Sequence, residues 1–411
     1  MRLSGVVRPV IEHRSAVLDL VTPVPTESRH VLEALGDVLA VDVVATCTLP
    51  RWDNSAMDGY AVHHADTAAA GPGTPVTLPV VADIAAGTSH DTPVAPGTAV
   101  RIMTGAPVPA GVDSVVPVEH TDGGTEHVTI TTAPVLGAHI RRAGEDVNPG
   151  DVVLTAGTFL GPAEMAAAVS VGQSVLTVHR RPRAVVISTG TELVPVGAEP
   201  AHGQIPDSNS VLLAAAAHRA GCTVVRVGAV PDDPAVLAAV LEAHDGDADL
   251  ILTSGGVSVG AYDVVKQALA DSPGVEFVRV AMQPGKPQGL GRLAGGTPVL
   301  CLPGNPVSAH VTFEVFVRPA IMRLRGARDL DRPQVTAVAA EHWRTPAGRT
   351  QLMPVTLVQT GTRLEAHRAV AGGSGSHLVA GLARAEGLAV VPATTEQVLP
   401  GDRLTVMRTT S

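Results

Sequence analysis

Residues 250–263 read Leu250-Ile251-Leu252-Thr253-Ser254-Gly255-Gly256-Val257-Ser258-Val259-Gly260-Ala261-Tyr262-Asp263. An apolar run of strand type stops abruptly at Ser254-Gly255-Gly256. Paired glycines let the backbone turn sharply and leave N–H groups unshielded, so an oxyanion can approach them closely. A tight strand-to-helix turn with no ligand would look the same in isolation. The segments on either side weigh in favour of a site.

From residue 183 to 326, apolar runs of strand length at 184–188, 223–230, 248–253, 275–281 and 298–302 alternate with helical patterns at 210–219, 234–244, 264–270 and 307–324. Strand, helix, strand at this spacing predicts a doubly wound parallel sheet. Such sheets hold ligands beyond the carboxyl ends of their strands, near a switch in strand order. The five strands are followed by Thr189-Gly190-Thr191-Glu192, Pro231-Asp232-Asp233-Pro234, Ser254-Gly255-Gly256-Val257-Ser258, Gln283-Pro284-Gly285-Lys286-Pro287 and Pro303-Gly304-Asn305-Pro306-Val307-Ser308. Turn chemistry accounts for the glycines and prolines. It does not account for Glu192, Asp232, Asp263, Lys286 and Ser308 meeting on one edge, so a ligand site is expected there.

On the N-terminal side, residues 11–20 and 26–39 carry helical spacing of apolar side chains. The polar turn Arg51-Trp52-Asp53-Asn54-Ser55-Ala56-Met57-Asp58-Gly59-Tyr60 follows. Residues 71–132 are rich in Val, Thr, Pro and Gly and read as short strands. Arg101-Ile102-Met103-Thr104-Gly105 is a strand ending in a hydroxyl, and Arg141-Arg142-Ala143-Gly144-Glu145-Asp146 is a compact charged turn. An alanine-rich helix is expected at 161–171. Beyond Gly326, short strands are expected at 334–339, 352–357, 388–391 and 403–407. The expected fold is multi-domain α/β. It comprises an N-terminal domain (1–50 with 140–180), a small β-rich insert (51–139), the doubly wound domain (181–326) and a β-barrel-like C-terminal domain (327–411).

The chain has 411 residues, enough for about two to four domains. At 45% hydrophobic and 17% charged it can bury real cores. Aromatics make up 2% and the formal net charge is −10. Both argue against nucleic acid and anionic membranes, which need stacking surfaces or a basic footprint. Cys47, Cys222 and Cys301 are widely spaced and form no C-x-x-C pair, so neither a disulfide framework nor a zinc knuckle is indicated. There is no signal-type N-terminal segment and no apolar run of ~18 residues, so a soluble, cytoplasmic protein is expected.

Six motifs stand in order: D-N-S-A-M-D-G-Y-A-V, R-I-M-T-G-A-P-V-P, R-R-A-G-E-D, S-T-G-T-E-L, S-G-G-V-S-V-G and L-P-G-N-P-V-S. Together, over nearly the whole chain, they resemble the molybdopterin molybdenumtransferase family, whose eukaryotic relatives are the gephyrin E-type domains. The resemblance implies a four-domain subunit whose doubly wound domain binds the pterin. It also implies a homodimer with active sites shared between subunits. The implied reaction is Mg²⁺-dependent: adenylylated molybdopterin and molybdate give molybdenum cofactor and AMP. A molybdopterin adenylyltransferase and molybdoenzymes are the implied handover partners.

By the same resemblance, Asp58 and Thr104 face the active site from the partner subunit. Glu192, Asp232, Ser258, Asp263, Lys286 and Ser308 match polar positions of the pterin domain, and Arg349 and Ser376 match positions of the last domain. Relatives often carry K-P-G-K-P; here Gln283 stands at the first lysine, which shifts anion affinity onto Lys286 and Arg279. Thr191 replaces the acidic neighbour of Glu192.

The residues themselves suit this chemistry. Backbone N–H groups after Ser254, at Gly255-Gly256, and at Gly304-Asn305 suit phosphate oxygens. Lys286 supplies a point charge for phosphate or molybdate. Asp232, Asp263 and Glu192 make sense as ligands for Mg²⁺, a hard cation that prefers oxygen. Two other readings remain. One is a non-catalytic gephyrin-like scaffold that keeps the fold. The other is an adenylyltransferase, disfavoured because it resembles the doubly wound domain alone.

Overall fold

The computed structural model describes residues 7–88, 92–257, 263–270, 272–370, 375 and 379–410. The predicted βαβ rhythm forms a seven-stranded sheet. Its strands are β1 (Val7–Arg8), β2 (Arg183–Thr189), β3 (Thr223–Val230), β4 (Leu250–Ser254), β5 (Val275–Val280), β7 (Pro287–Arg292) and β8 (Pro298–Leu302), with the short β6 (Met282–Gln283) lying outside it. The order is β1-β5-β7-β8-β4-β2-β3. Helices α1 (Val10–Asp19), α2 (Ser208–Arg219), α3 (Pro234–His244), α4 (Val264–Ala268), α5 (Pro306–Thr312) and α6 (Arg318–Leu324) cover its faces.

Alternation along β2 shows why the strands read as continuous apolar runs. Ala184 and Val186 pack under α2 with Leu213 and Ala217. Val185 and Ile187 pack on the other face with Leu237 and Leu241 of α3. A strand buried on both faces needs apolar residues at both parities. The chain leaves β2 toward β3, then returns across β2 to β4. The strand order therefore reverses between β2 and β4, and the loops after these two strands flank a crevice.

Three features depart from the expected plan. The sheet is mixed, because β7 runs antiparallel to both β5 and β8. β1 and α1, grouped by the sequence division with the N-terminal domain, belong physically to this sheet: Val7 and Arg8 pair with Arg279 and Val280, and Val17 joins its core. The helix expected over 307–324 is interrupted by a π-helical segment, Phe313–Val317, between α5 and α6.

α1 packs on that segment through His13, whose ring meets Phe316 edge-on at 4.7 Å. Burial, and secondarily Arg8, pushes the His13 pKa down to about 3. The unfolded chain takes up this proton near pH 6.5 and the folded chain resists it. Stability from a neutral His13 is thus complete above about pH 6.5 and falls toward pH 3, by up to ~1.4 kcal/mol per pH unit. Urea midpoints between pH 7 and 4.5 should fall less steeply in His13→Phe; equal slopes would refute the assignment.

The N-terminal domain contains a three-stranded antiparallel sheet in which Val175–His179 lies between Thr26–His30 and Val38–Leu39. Residues 26–30 therefore form a strand where the apolar spacing predicts helix. The expected alanine-rich helix is present at Pro162–Ser170. The insert is a five-stranded sheet built from residues 59–130, with Tyr60 and Ile130 fully buried.

The C-terminal domain is a closed five-stranded barrel of β9 (Gln334–Ala339), β10 (Thr350–Thr360), β11 (Arg363–Arg368), β12 (Gly387–Val391) and β13 (Arg403–Arg408). The order β10-β11-β9-β13-β12 returns to β10. β10 also pairs in parallel with β6, matching Met282 with Thr350 and Gln283 with Gln351. Among the described residues, no helix is long and apolar enough to cross a membrane.

Candidate active site

A cavity of about 800 Å³ opens at the carboxyl ends of the strands, at the reversal in strand order. It is walled by Thr189 at the end of β2 with Gly190 and Glu192 after it, Asp232 after β3, and Ser254 at the end of β4 with Gly255, Gly256 and Asp263 after it. Gln283, Gly285, Lys286, Gly304, Asn305 and Ser308 also line it, with Arg349 from the barrel. Five loops distant in sequence thus share one chamber.

Local chemistry holds each loop. Gly255 has φ +103°, and a Cβ there would lie 2.6 Å from the Thr189 carbonyl oxygen, so only glycine fits between the β2 and β4 loops. The Asp232 carboxylate accepts from the Thr191 amide at 3.1 Å and its hydroxyl at 3.2 Å, joining the loops after β2 and β3. Thr191, the departure from the family pattern, is therefore a structural partner of Asp232. Gln288 is buried and donates from Nε2 to the Gly285 carbonyl at 2.5 Å and to Thr312 Oγ1 at 2.9 Å, which fixes the turn carrying Lys286. Lys286 and Glu192 are exposed at the cavity. The β6–β10 pairing delivers Arg349, whose neighbour Thr350 donates its amide to Ala281 at 2.9 Å.

Asp263 is nearly buried, and its Oδ2 pairs with Lys266 Nζ at 2.7 Å. The ammonium lies 5.9 Å from the Phe277 ring centroid. Asp263 thus reaches the cavity already paired with a cation. Arg279 is not among the cavity residues; it sits within β5, paired in register with Val7 and Pro287. Ser258 and Ser376 lie outside the described residues.

Asp58 and Thr104 meet each other on the surface of the insert. Asp58 Oδ1 accepts from the Thr104 amide at 2.7 Å and hydroxyl at 2.8 Å. These donors, the amide first, hold the carboxyl below its ordinary pKa. Neither residue lines the cavity of its own chain. Nearby, Asp53 accepts from the Ala143 amide at 2.8 Å and pairs with Arg142 at 2.6 Å, tying the charged turn to the exposed Trp52 loop.

Sequence reasoning missed Asn209. It lies in the first turn of α2 and lines the cavity. Its signal was Asp207-Ser208-Asn209-Ser210, a helix start in which Asp207 accepts from the Ser210 amide.

Three family descriptions match the chain in order. "MoeA N-terminal region (domain I and II)" covers residues 8–172, "Probable molybdopterin binding domain" 185–323, and "MoeA C-terminal region (domain IV)" 336–408. Molybdopterin molybdenumtransferase 2 of Mycobacterium tuberculosis is 46% identical over 406 residues, covering 97% of this chain and 99% of that protein. Molybdopterin molybdenumtransferase 1 of the same organism is 39% identical over 412 residues, covering 95% and 97%. The crystal structure of the molybdopterin biosynthesis moeA protein of Pyrococcus horikoshii OT3 superposes with a TM-score of 0.85 at 26% identity. It covers 98% of this chain and 100% of that one. On identity, coverage and the order of its domains, the chain belongs to the molybdopterin molybdenumtransferase (MoeA) family.

Proposed function

We propose that the chain inserts molybdate into adenylylated molybdopterin and releases AMP, making molybdenum cofactor. The observation that carries this reading is the single chamber in which glycine-rich turns, Lys286, Arg349 and three carboxylates meet. A dithiolene pterin bearing a phosphoanhydride presents several negative charges at once. The Gly255 amide is committed to the Leu302 carbonyl at 3.2 Å, and the backbone amides of Gly256 and Gly304 at the cavity wall can donate to such oxygens. Lys286 and Arg349 offset the charge, Lys286 as a point charge and Arg349 as a planar fork.

Mg²⁺ fits the donor set: hard carboxylate oxygens of Asp232, Glu192 and Asp263 surround the same space. Among the described residues, no three His, Cys, Asp or Glu side chains are gathered closely enough to hold a metal alone. Held there, the ion would supply charge neutralisation at the anhydride. The chain's own residues orient the anhydride against the molybdate oxyanion, and positioning with charge stabilisation provides most of the acceleration.

A second copy of the chain would supply Asp58 and Thr104, which are paired and exposed away from their own cavity. An adenylyltransferase would deliver the substrate, and molybdoenzymes would take the product.

Incubation with adenylylated molybdopterin, Mg²⁺ and molybdate should release AMP in a molybdate-dependent manner. Its absence would overturn the transferase and leave a binding module that keeps the fold. Mixing Asp58→Ala with Lys286→Ala protein should restore activity that neither has alone, because a mixed dimer regains one intact site. Failure to complement would remove the shared site.

A further inference from the structure

Asn209 is more than nine-tenths buried in the cavity wall. Its Nδ2 donates to Ser254 Oγ at 2.8 Å and to the Gly304 carbonyl at 2.6 Å. A carbonyl oxygen only accepts, so the nitrogen must face Gly304 and the amide orientation is fixed. Ser254 ends β4 and Gly304 follows β8, so one side chain ties together the two loops expected to cradle phosphate. The loops touch there: a Cβ on Gly304 would lie 3.3 Å from Gly255 Cα, and the Gly255 amide donates to Leu302 at 3.2 Å. The other end of the amide, Oδ1, is buried without a partner among the described residues, a state that folds seldom leave unanswered.

We propose that Asn209 is a positioning residue that locks the Ser254-Gly255-Gly256 and Pro303-Gly304-Asn305 turns in register, so that the Gly256 and Gly304 amides are presented together to the substrate anhydride. The proposal rests on the transferase reading above. Asp207 makes the lock rigid from behind. It accepts from Ser188 Oγ at 2.6 Å, Ser210 Oγ at 2.5 Å and the Ser210 amide at 3.1 Å, which fixes the first turn of α2 against β2.

Asn209→Asp tests this with almost no change in volume. An ionised carboxylate has no donor and sets oxygen against the Gly304 oxygen, whereas a protonated one can donate to it. At pH 8 the variant should keep the wild-type thermal midpoint within a few degrees and lose roughly 10- to 100-fold in kcat/KM, mostly through KM for adenylylated molybdopterin. The loss relative to wild type should shrink as pH falls toward the carboxylate range. Asp207, Glu192, Asp232, Asp263 and Lys286 are common to both proteins, and the wild-type pH profile measured alongside is the reference for the loss. Asn209→Ser, whose hydroxyl can donate to only one of the two oxygens, should lose an intermediate amount and serves if the Asp variant does not fold. Wild-type kcat/KM in either variant, or an Asp defect of constant size at every pH, overturns the proposal. Wild-type protein without molybdate-dependent AMP release defeats instead the reading on which it rests.

Discussion

With Lys286 replaced by alanine, kcat/KM for adenylylated molybdopterin is expected to fall about 100-fold. Truncating one partner of a close charge pair in a recessed site costs about 2–5 kcal/mol, and each 1.4 kcal/mol is a factor of ten. Gln283, on the same turn, brings no charge, so the charge of that turn rests on Lys286. The side chain is exposed, and the turn beneath it is held by Gln288 rather than by the ammonium. Thermal unfolding should therefore be unmoved, and Lys286→Arg should recover part of the rate, since it restores the charge in a different shape. A variant that keeps wild-type kcat/KM would show that the anion is held elsewhere in the cavity.

The largest effect on stability is expected at Glu314→Ala. Glu314 sits in the π-helical segment, 2% exposed. It accepts from Arg332 Nε at 2.9 Å and Nη2 at 3.2 Å, and Arg219 approaches to 3.9 Å. Arg318 lies in the same neighbourhood, its pKa pushed down to about 10 by burial and then by Arg332. Removing this buried carboxylate leaves the cations crowded together with their desolvation largely uncompensated, which costs about 3–5 kcal/mol. Arg332 precedes the first barrel strand, and Arg219 also donates to the Thr409 carbonyl at 2.5 Å. The loss should therefore appear as earlier separation of barrel and sheet in denaturant, followed by limited proteolysis between residues 324 and 334. Unchanged midpoint and cleavage would mean that the cluster contributes little.

Much of the fold could be read from local pattern. The runs at 184–188, 250–253 and 298–302 are apolar at both parities because both faces of the sheet are covered, and that composition is visible in the chain. The five strand-end loops were legible because polar groups beside glycine and proline stand out after such runs. What escaped depends on distant partners. Residues 26–30 have helical spacing, but pairing with 175–179 overrides a weak local preference. β7 was hidden because Gly289 and Gly291 dilute its strand character; each approaches neighbouring strands too closely for a side chain.

The site was legible as a set of candidates and not as a set of roles. Asp263 and Lys266 are three residues apart on a helix start, yet the pair matters because of where β4 ends. Asn209 drew no reading from the sequence, since its partners lie 45 and 95 residues away. Arg279 stands out by its charge, and its place in β5 beside Val7 depends on a pairing far away in the sequence. Glu314 had a sequence signal that was not used: a lone carboxylate within Val311-Thr312-Phe313-Glu314-Val315-Phe316-Val317, an apolar run where an acid must find a partner.

The two-residue pairing of β6 with β10 also bears on how this protein could be recombined. The linker after α6 looks like a natural splice point, since one compact unit ends and a closed barrel begins. A barrel grafted there from another protein would close on itself and still be a defective part. It would have to present a strand in parallel register with Met282 and Gln283 and carry an arginine one residue before it. The heritable module is therefore the barrel together with its docking strand.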